Sequence, residues 1–342
     1  MPTRIYREGM TKLFFLSKLL LAILGAVVRQ VFRRLSDGPL VASWSWSVEL
    51  KMVALRVFLV ASARGGDRSR RRALEAGFDP PLPRSLRHII KTERATVGGI
   101  PGEWVTRDHA RIDDPTILYL HGGGYLAGSP ATHRRFISRL TWVTRATTFA
   151  PDYRLAPQHK FPAAVDDAEA AYVGLLEMGV EPGRLIVAGD SAGGGLSCAL
   201  LQRLRDHDQP QPAGAVLFSP YTDLEHTAPS IQVNAATDYL PLGPVMANTF
   251  YLGEADPKHP EASPMYGDYS GVAPMLVFAG GREMILDDSL RLVEKAGADG
   301  ADVLLRVEDD MFHVWPALLP NHEATLRTLT AVAEFVAART KA

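Results

Sequence analysis

From about residue 88 onward, short apolar runs of β character alternate with longer stretches of helical period. That alternation restricts the fold more than any other feature of the chain. The runs lie at 116–120, 147–150, 185–188, 215–218, 275–279 and 303–307, and the helical stretches at 132–144, 163–178, 193–206, 285–296 and 322–339. Parallel strands need long crossover connections, and helices supply them. The pattern therefore predicts an α/β fold, a mostly parallel central sheet covered by helices on both faces. Ahead of the first run, residues 94–97 and 103–106 flank Gly98-Gly99-Ile100-Pro101-Gly102 and predict an opening antiparallel hairpin. No internal repeat is visible.

A chain of 342 residues, 46% hydrophobic and 22% charged, has ample apolar sequence for such a core. Collagen-like, low-complexity and disordered classes are excluded on those figures. A net charge of −1 speaks against a general nucleic-acid binder. The single cysteine, Cys198, rules out an internal disulfide and a cysteine-rich metal site, which suits a reducing, cytoplasmic setting. Cys198 itself reads as a small core residue.

The charge is unevenly spread. Residues 1–72 hold 14 Lys and Arg against 4 Asp and Glu, a balance of +10, which leaves −11 for the rest of a chain that sums to −1. Residues 13–28 are almost continuously apolar, broken by Ser17 and Lys18 and followed by Arg29, Arg33 and Arg34. The stretch is short and charged for a bilayer span. It also lacks the small-residue cleavage site of a secretory signal, since arginines follow Gly25-Ala26-Val27-Val28. It reads as an amphipathic helix that packs on a core, and its arginines also suit peripheral membrane contact. The two readings coexist. Residues 44–60 give a second helix, and the basic run at 64–72, with no aromatic interleaved to stack bases, reads as a solvated link.

Gly189-Asp190-Ser191-Ala192-Gly193 follows the run at 185–188 and precedes a small-residue helix. A sharp strand-to-helix turn there lifts Ser191 Oγ above the sheet as a nucleophile, and glycines two residues either side let backbones approach closely. A tight turn or anion loop without covalent chemistry is the plainer reading of the pentapeptide alone. His121-Gly122-Gly123-Gly124-Tyr125 follows the strand at 116–120 and leaves backbone N–H groups free to point at one spot, as acyl transfer requires where a carbonyl oxygen gains charge. With nucleophile, acid and base in that chain order, the base lies well after Ser191. His226 and His259 sit in proline-rich loops and His322 opens the last helix, whereas His313 follows the final strand across a short loop. For the acid, Glu283, Asp287 and Asp288 follow the strand at 275–279.

Taken together, these segments resemble the bacterial hormone-sensitive-lipase-like esterases, family IV of the α/β-hydrolases. The resemblance runs from about residue 115 to 315. It takes in His121–Tyr125, Asp152-Tyr153-Arg154-Leu155-Ala156-Pro157, Phe161-Pro162-Ala163-Ala164-Val165-Asp166-Asp167, the serine elbow, Ser219-Pro220-Tyr221-Thr222-Asp223-Leu224, Ser263-Pro264-Met265-Tyr266 and Met311-Phe312-His313. It implies an α/β-hydrolase domain over 86–342 and an N-terminal helical cap over 1–85. It also implies Ser191 as nucleophile, His313 as base, and the N–H groups of Gly123, Gly124 and Ala192 as oxyanion donors. Two positions depart from the family pattern: Gln158 stands where Glu usually follows Pro157, and Glu283 stands where the family places a catalytic Asp four residues before another Asp, here Asp287.

Placement favours Glu283 as the acid, because it lies in the loop just past a strand while Asp287 falls in the first turn of a helix. Arg282, if close, would favour its ionised form. The expected activity is hydrolysis of short- to medium-chain acyl esters or lactones through an acyl-enzyme, with no metal or organic cofactor, on a small-molecule ester substrate. An amidase or deacetylase on the same triad is the alternative, and a non-catalytic ligand-binding member of the fold the more distant one. Oligomeric state is left open.

Overall fold

The computed structural model describes residues 2–63, 82–111, 113–240 and 248–340. Eight strands form one sheet in the order β1-β2-β4-β3-β5-β6-β7-β8. They are β1 Ile90–Val97, β2 Ile100–Arg107, β3 Thr116–Leu120, β4 Thr147–Pro151, β5 Leu185–Asp190, β6 Gly214–Phe218, β7 Met275–Gly280 and β8 Val303–Glu308. β1, β2 and β4 pair antiparallel, and every pairing from β4 through β8 is parallel. Each predicted strand is present, and the hairpin turns at Gly98-Gly99.

Seven helices of 13 residues or more accompany the strands among the described residues: α1 Pro2–Asp37, α2 Trp46–Ala63, α3 Pro130–Thr144, α4 Ala163–Glu177, α5 Ala192–Asp206, α6 Leu286–Ala298 and α7 Glu323–Arg339. Strands β3 to β7 are buried on both faces, since successive residues point to opposite sides and helices cover each side. Leu118, Leu120, Val187 and Leu217 pack with Tyr172 of α4, Leu196 and Leu200 of α5 and Leu292 of α6. Ile117, Tyr119, Ile186 and Phe218 pack with Phe136 and Leu140 of α3, Val332 and Val336 of α7, Val48 and Met52 of α2, and Trp44 just before it.

α3 begins two residues earlier than the sequence predicts, because proline is at home in a first turn. Ser129 caps it, accepting from Thr132 N at 3.3 Å while its own N–H donates to Thr132 Oγ1 at 3.0 Å. α1 extends beyond the apolar run at 13–28 in both directions. The basic run at 64–72 lies outside the described residues. α1 and α2 are joined through the buried Glu49, which accepts from Arg33 at 2.7 Å, Arg34 at 2.5 Å and Gln30.

Candidate active site

β5 runs through Asp190, and α5 opens at Ala192, so the whole reversal falls on Ser191. Its backbone sits at φ 52°, ψ −120°, a conformation that side-chain-bearing residues adopt only when held. Two contacts hold it. Ser191 N–H donates to Phe218 O at the end of β6 (2.9 Å), and Ser191 O accepts from Tyr221 N (2.9 Å). A β-carbon on Gly193 would lie 2.0 Å from Leu120 O, which is why the helix can approach the end of β3 so closely. Ala192 is the first helical residue, where N–H groups lack intrahelical acceptors.

The loop after β3 carries the other glycines. Gly123 has φ +123° and a β-carbon there would meet Ala127 O at 2.0 Å, so no other residue fits. The buried Asp190 carboxylate pins this loop: its Oδ1 accepts from Gly122 N at 3.0 Å and from Tyr119 Oη at 2.6 Å, while Oδ2 faces His133 Nε2 at 3.5 Å. Burial would push the Asp190 carboxyl up, but the His133 charge and these donors outweigh it and hold it below the usual range. Burial likewise works against a charge on His133, and Asp190 overrides it and raises the imidazole above its ordinary value. Tyr153 Oη donates to His121 O at 2.6 Å and closes the loop from the other side.

His313 lies past β8 and is buried, with Nδ1 3.2 Å from Oε2 of the buried Glu283. Burial lowers the His313 pKa; the hydrogen bond and charge of Glu283, with Asp238 and Asp190 behind them, overcome this and hold it above 6.5. The next residue, Val314, donates its N–H to Ser219 Oγ at 3.0 Å. Phe218 and Ser219 are consecutive at the end of β6, so one strand end anchors the Ser191 turn and the His313 loop together.

Of the three carboxylates after β7, Glu283 alone is brought to His313 among the described residues. Asp287 Oδ2 accepts from Ser230 N at 2.8 Å, and Asp288 Oδ2 accepts from Thr222 N and Asp223 N at 2.8 and 2.9 Å. Arg282 turns away from Glu283 and meets Asp310 at 3.3 Å. Cys198 is buried, with its thiol pushed up to about 12 by burial, consistent with packing and not reactivity. His226 bonds Tyr221, and His322 caps α7 by accepting from Ala324 N at 3.2 Å. Gln158 follows the Asp152–Pro157 loop, where Arg154 is instead paired with Asp167 at 2.6 Å.

Asp238 is a group that sequence reasoning misses. Its Oδ2 accepts from Met284 N at 2.7 Å, and its Oδ1 lies 3.4 Å from His313 N, so one carboxylate ties the Glu283 loop to the His313 loop. Burial pushes it up to about 6 against the opposing pull of His313. Asn234 Nδ2 donates to Glu283 O at 2.9 Å from the same segment. No local spacing signals either residue.

A glycine-lined loop and a strained serine at adjacent strand ends, with a His–carboxylate pair anchored beside them, agree with the match of residues 117–317 to the family model described as alpha/beta hydrolase fold. The chain belongs to the alpha/beta hydrolase family. It is 46% identical over 224 residues to an acetyl-hydrolase of Streptomyces hygroscopicus, covering 64% of this chain and 74% of that one. An esterase of Acinetobacter venetianus is 34% identical over 245 residues, 70% of this chain and 79% of that one. The crystal structure of an esterase from the bacterial hormone-sensitive lipase family superposes with a TM-score of 0.78 at 38% identity, over 85% of this chain and 98% of that one. The resemblance read from the sequence is thus borne out for this α/β-hydrolase.

Proposed function

We propose that the chain is a serine carboxylesterase that cleaves short- to medium-chain acyl esters or lactones through an acyl-enzyme on Ser191, His313 and Glu283. The coarser statement rests on family: the chain is a carboxylic ester hydrolase. The observation that carries the finer one is the buried 3.2 Å contact of His313 Nδ1 with Glu283, anchored to the same strand end as the Ser191 elbow. In this reading Ser191 Oγ attacks the acyl carbon as its proton passes to His313 Nε2, and Glu283 balances the imidazolium across Nδ1. The carbonyl oxygen gains its charge against the N–H groups of Gly123, Gly124 and Ala192. Collapse breaks the bond to the alcohol oxygen, which leaves with the His313 proton. Water then adds to the acyl carbon, giving a proton to His313, and cleavage of the Ser191 Oγ–carbon bond, with that proton passing from His313 to Oγ, frees the acid.

Similarity to a protein named acetyl-hydrolase supports the short end of that acyl range. Residues 1–85 act as the cap on this reading. Arg56 of α2 donates to Asp238 O at 2.8 Å, and Trp44 donates to Asp310 O, so the helical region bears on both loops of the His–Glu pair. The test is p-nitrophenyl acetate hydrolysis by Ser191→Ala, expected to fall by about 10³-fold or more with folding intact. Near-wild-type turnover would remove the mechanism. Equal cleavage of the matched anilide would put an amidase in its place.

A further inference from the structure

α1 presents two different sides. Leu19 and Ala26 are buried, and Gln30, Arg33 and Arg34 reach Glu49 of α2 from the same side. On the opposite side Leu20, Leu21, Leu24, Phe32 and Leu35 are each 57–70% exposed, with Val28 at 44%. Positions 20, 24, 28, 32 and 35 recur one turn apart, so these side chains form one continuous stripe. Scattered exposed leucines need no explanation, but six large apolar groups on one helix face do.

Lys18 and Arg29 are exposed on the flank of the stripe, and residues 1–36 carry seven Lys and Arg against Glu8 alone. A second copy of the same stripe would bring like charges together. An anionic lipid surface would pair with them while its acyl region takes up the apolar face. Among the described residues no helix is long and apolar enough to cross a membrane, which leaves a helix lying in the interface plane.

We propose that the exposed face of α1 seats this enzyme on an anionic lipid surface. α1 is locked to α2 through Glu49, and α2 reaches the Asp238 segment through Arg56, so the seated helix lies one helix away from the His313 loop. Resting on the esterase reading above, this makes lipid-dissolved acyl esters the substrate class.

The test is co-sedimentation of the full chain with vesicles of equal parts phosphatidylglycerol and phosphatidylcholine, against vesicles of phosphatidylcholine alone. The expected result is preferential binding to the anionic vesicles that weakens as salt shortens the screening length. Leu24→Glu with Phe32→Glu should lower the partition coefficient about a hundredfold or more. Lys18→Gln with Arg29→Gln should lower it about 25-fold on anionic vesicles, fivefold for each charge. Hydrolysis of water-soluble p-nitrophenyl acetate by the same preparations should be unchanged, so loss of binding and loss of the esterase reading are separate outcomes. No binding to anionic vesicles, unaltered binding by both double variants, or a solution dimer that Leu24→Glu with Phe32→Glu makes monomeric would overturn the proposal.

Discussion

Replacing Glu283 by glutamine removes one charge from a site where that charge faces a histidine and almost no water. The Oε2–Nδ1 separation of 3.2 Å, at an effective dielectric of about 20, corresponds to about 5 kcal/mol between carboxylate and imidazolium. At 1.36 kcal/mol per decade this is between three and four orders of magnitude of kcat, about the loss seen when a triad acid becomes its amide. The pH profile adds a second reading. His313 must be neutral to accept the serine proton, and burial alone lowers its pKa while Glu283 raises it. Without that carboxylate the imidazolium loses its partner, so the acid limb of whatever activity remains moves to lower pH. Asp287 serves as the control. Its carboxylate accepts from Ser230 N and lies in the first turn of α6, so Asp287→Asn should cost no more than about 1 kcal/mol of stability and leave kcat within a few-fold. The assay is kcat for p-nitrophenyl acetate across pH, with thermal melts of each variant. A Glu283→Gln enzyme within tenfold of wild type beside a crippled Asp287→Asn would show that the acid is Asp287.

Two further outcomes follow from buried charges near the site. Asp190→Asn should cut kcat about 10- to 100-fold, because the Gly122 loop loses its anchoring charge, and should lower the His133 pKa measured by NMR, since burial is then opposed only by the Ser129 carbonyl; an unmoved His133 would disprove the coupling. Burial, with the charges of Asp223 and Glu283, pushes the Asp288 carboxyl up to about 8. That group binds a proton in the fold and releases it on unfolding anywhere between its ordinary value and 8. It therefore erodes stability as pH rises through that window. Asp288→Asn should flatten the slope in urea midpoints between pH 5 and 8, and identical slopes would refute the assignment.

The sheet can be read from the chain because parallel strands buried on both faces appear as unbroken apolar runs, and the helices between them follow from the crossovers that parallel pairing demands. Where the reading stops short, a polar residue is buried for a purpose. β5 looks finished at Ala188, yet it runs on through Asp190, whose carboxylate is a structural anion inside the sheet edge. Ser191, the His121–Tyr125 loop and His313 stand out because their backbone or chain-order requirements are local. Asp238 does not, being 46 residues from Met284 and 75 from His313, a distance only the fold spans. Arg282 shows the reverse error: adjacency to Glu283 suggested a partner, but a strand-end turn sends neighbouring side chains apart, and it finds Asp310. The exposure of the α1 stripe is likewise invisible in sequence, since an amphipathic helix looks the same whether its apolar face is covered or bare.

A fluorophosphonate reads covalent chemistry at Ser191 directly. Attack by the activated Oγ on phosphorus expels fluoride and leaves a stable adduct, so intact-mass spectrometry should show one phosphonyl group per chain, mapped by peptide sequencing to Ser191, with loss of ester hydrolysis in step with labelling. His313→Ala should slow the labelling by orders of magnitude, and Ser191→Ala should abolish it. Labelling at another residue, or full ester hydrolysis by a chain already phosphonylated at Ser191, would show that Ser191 is not the nucleophile.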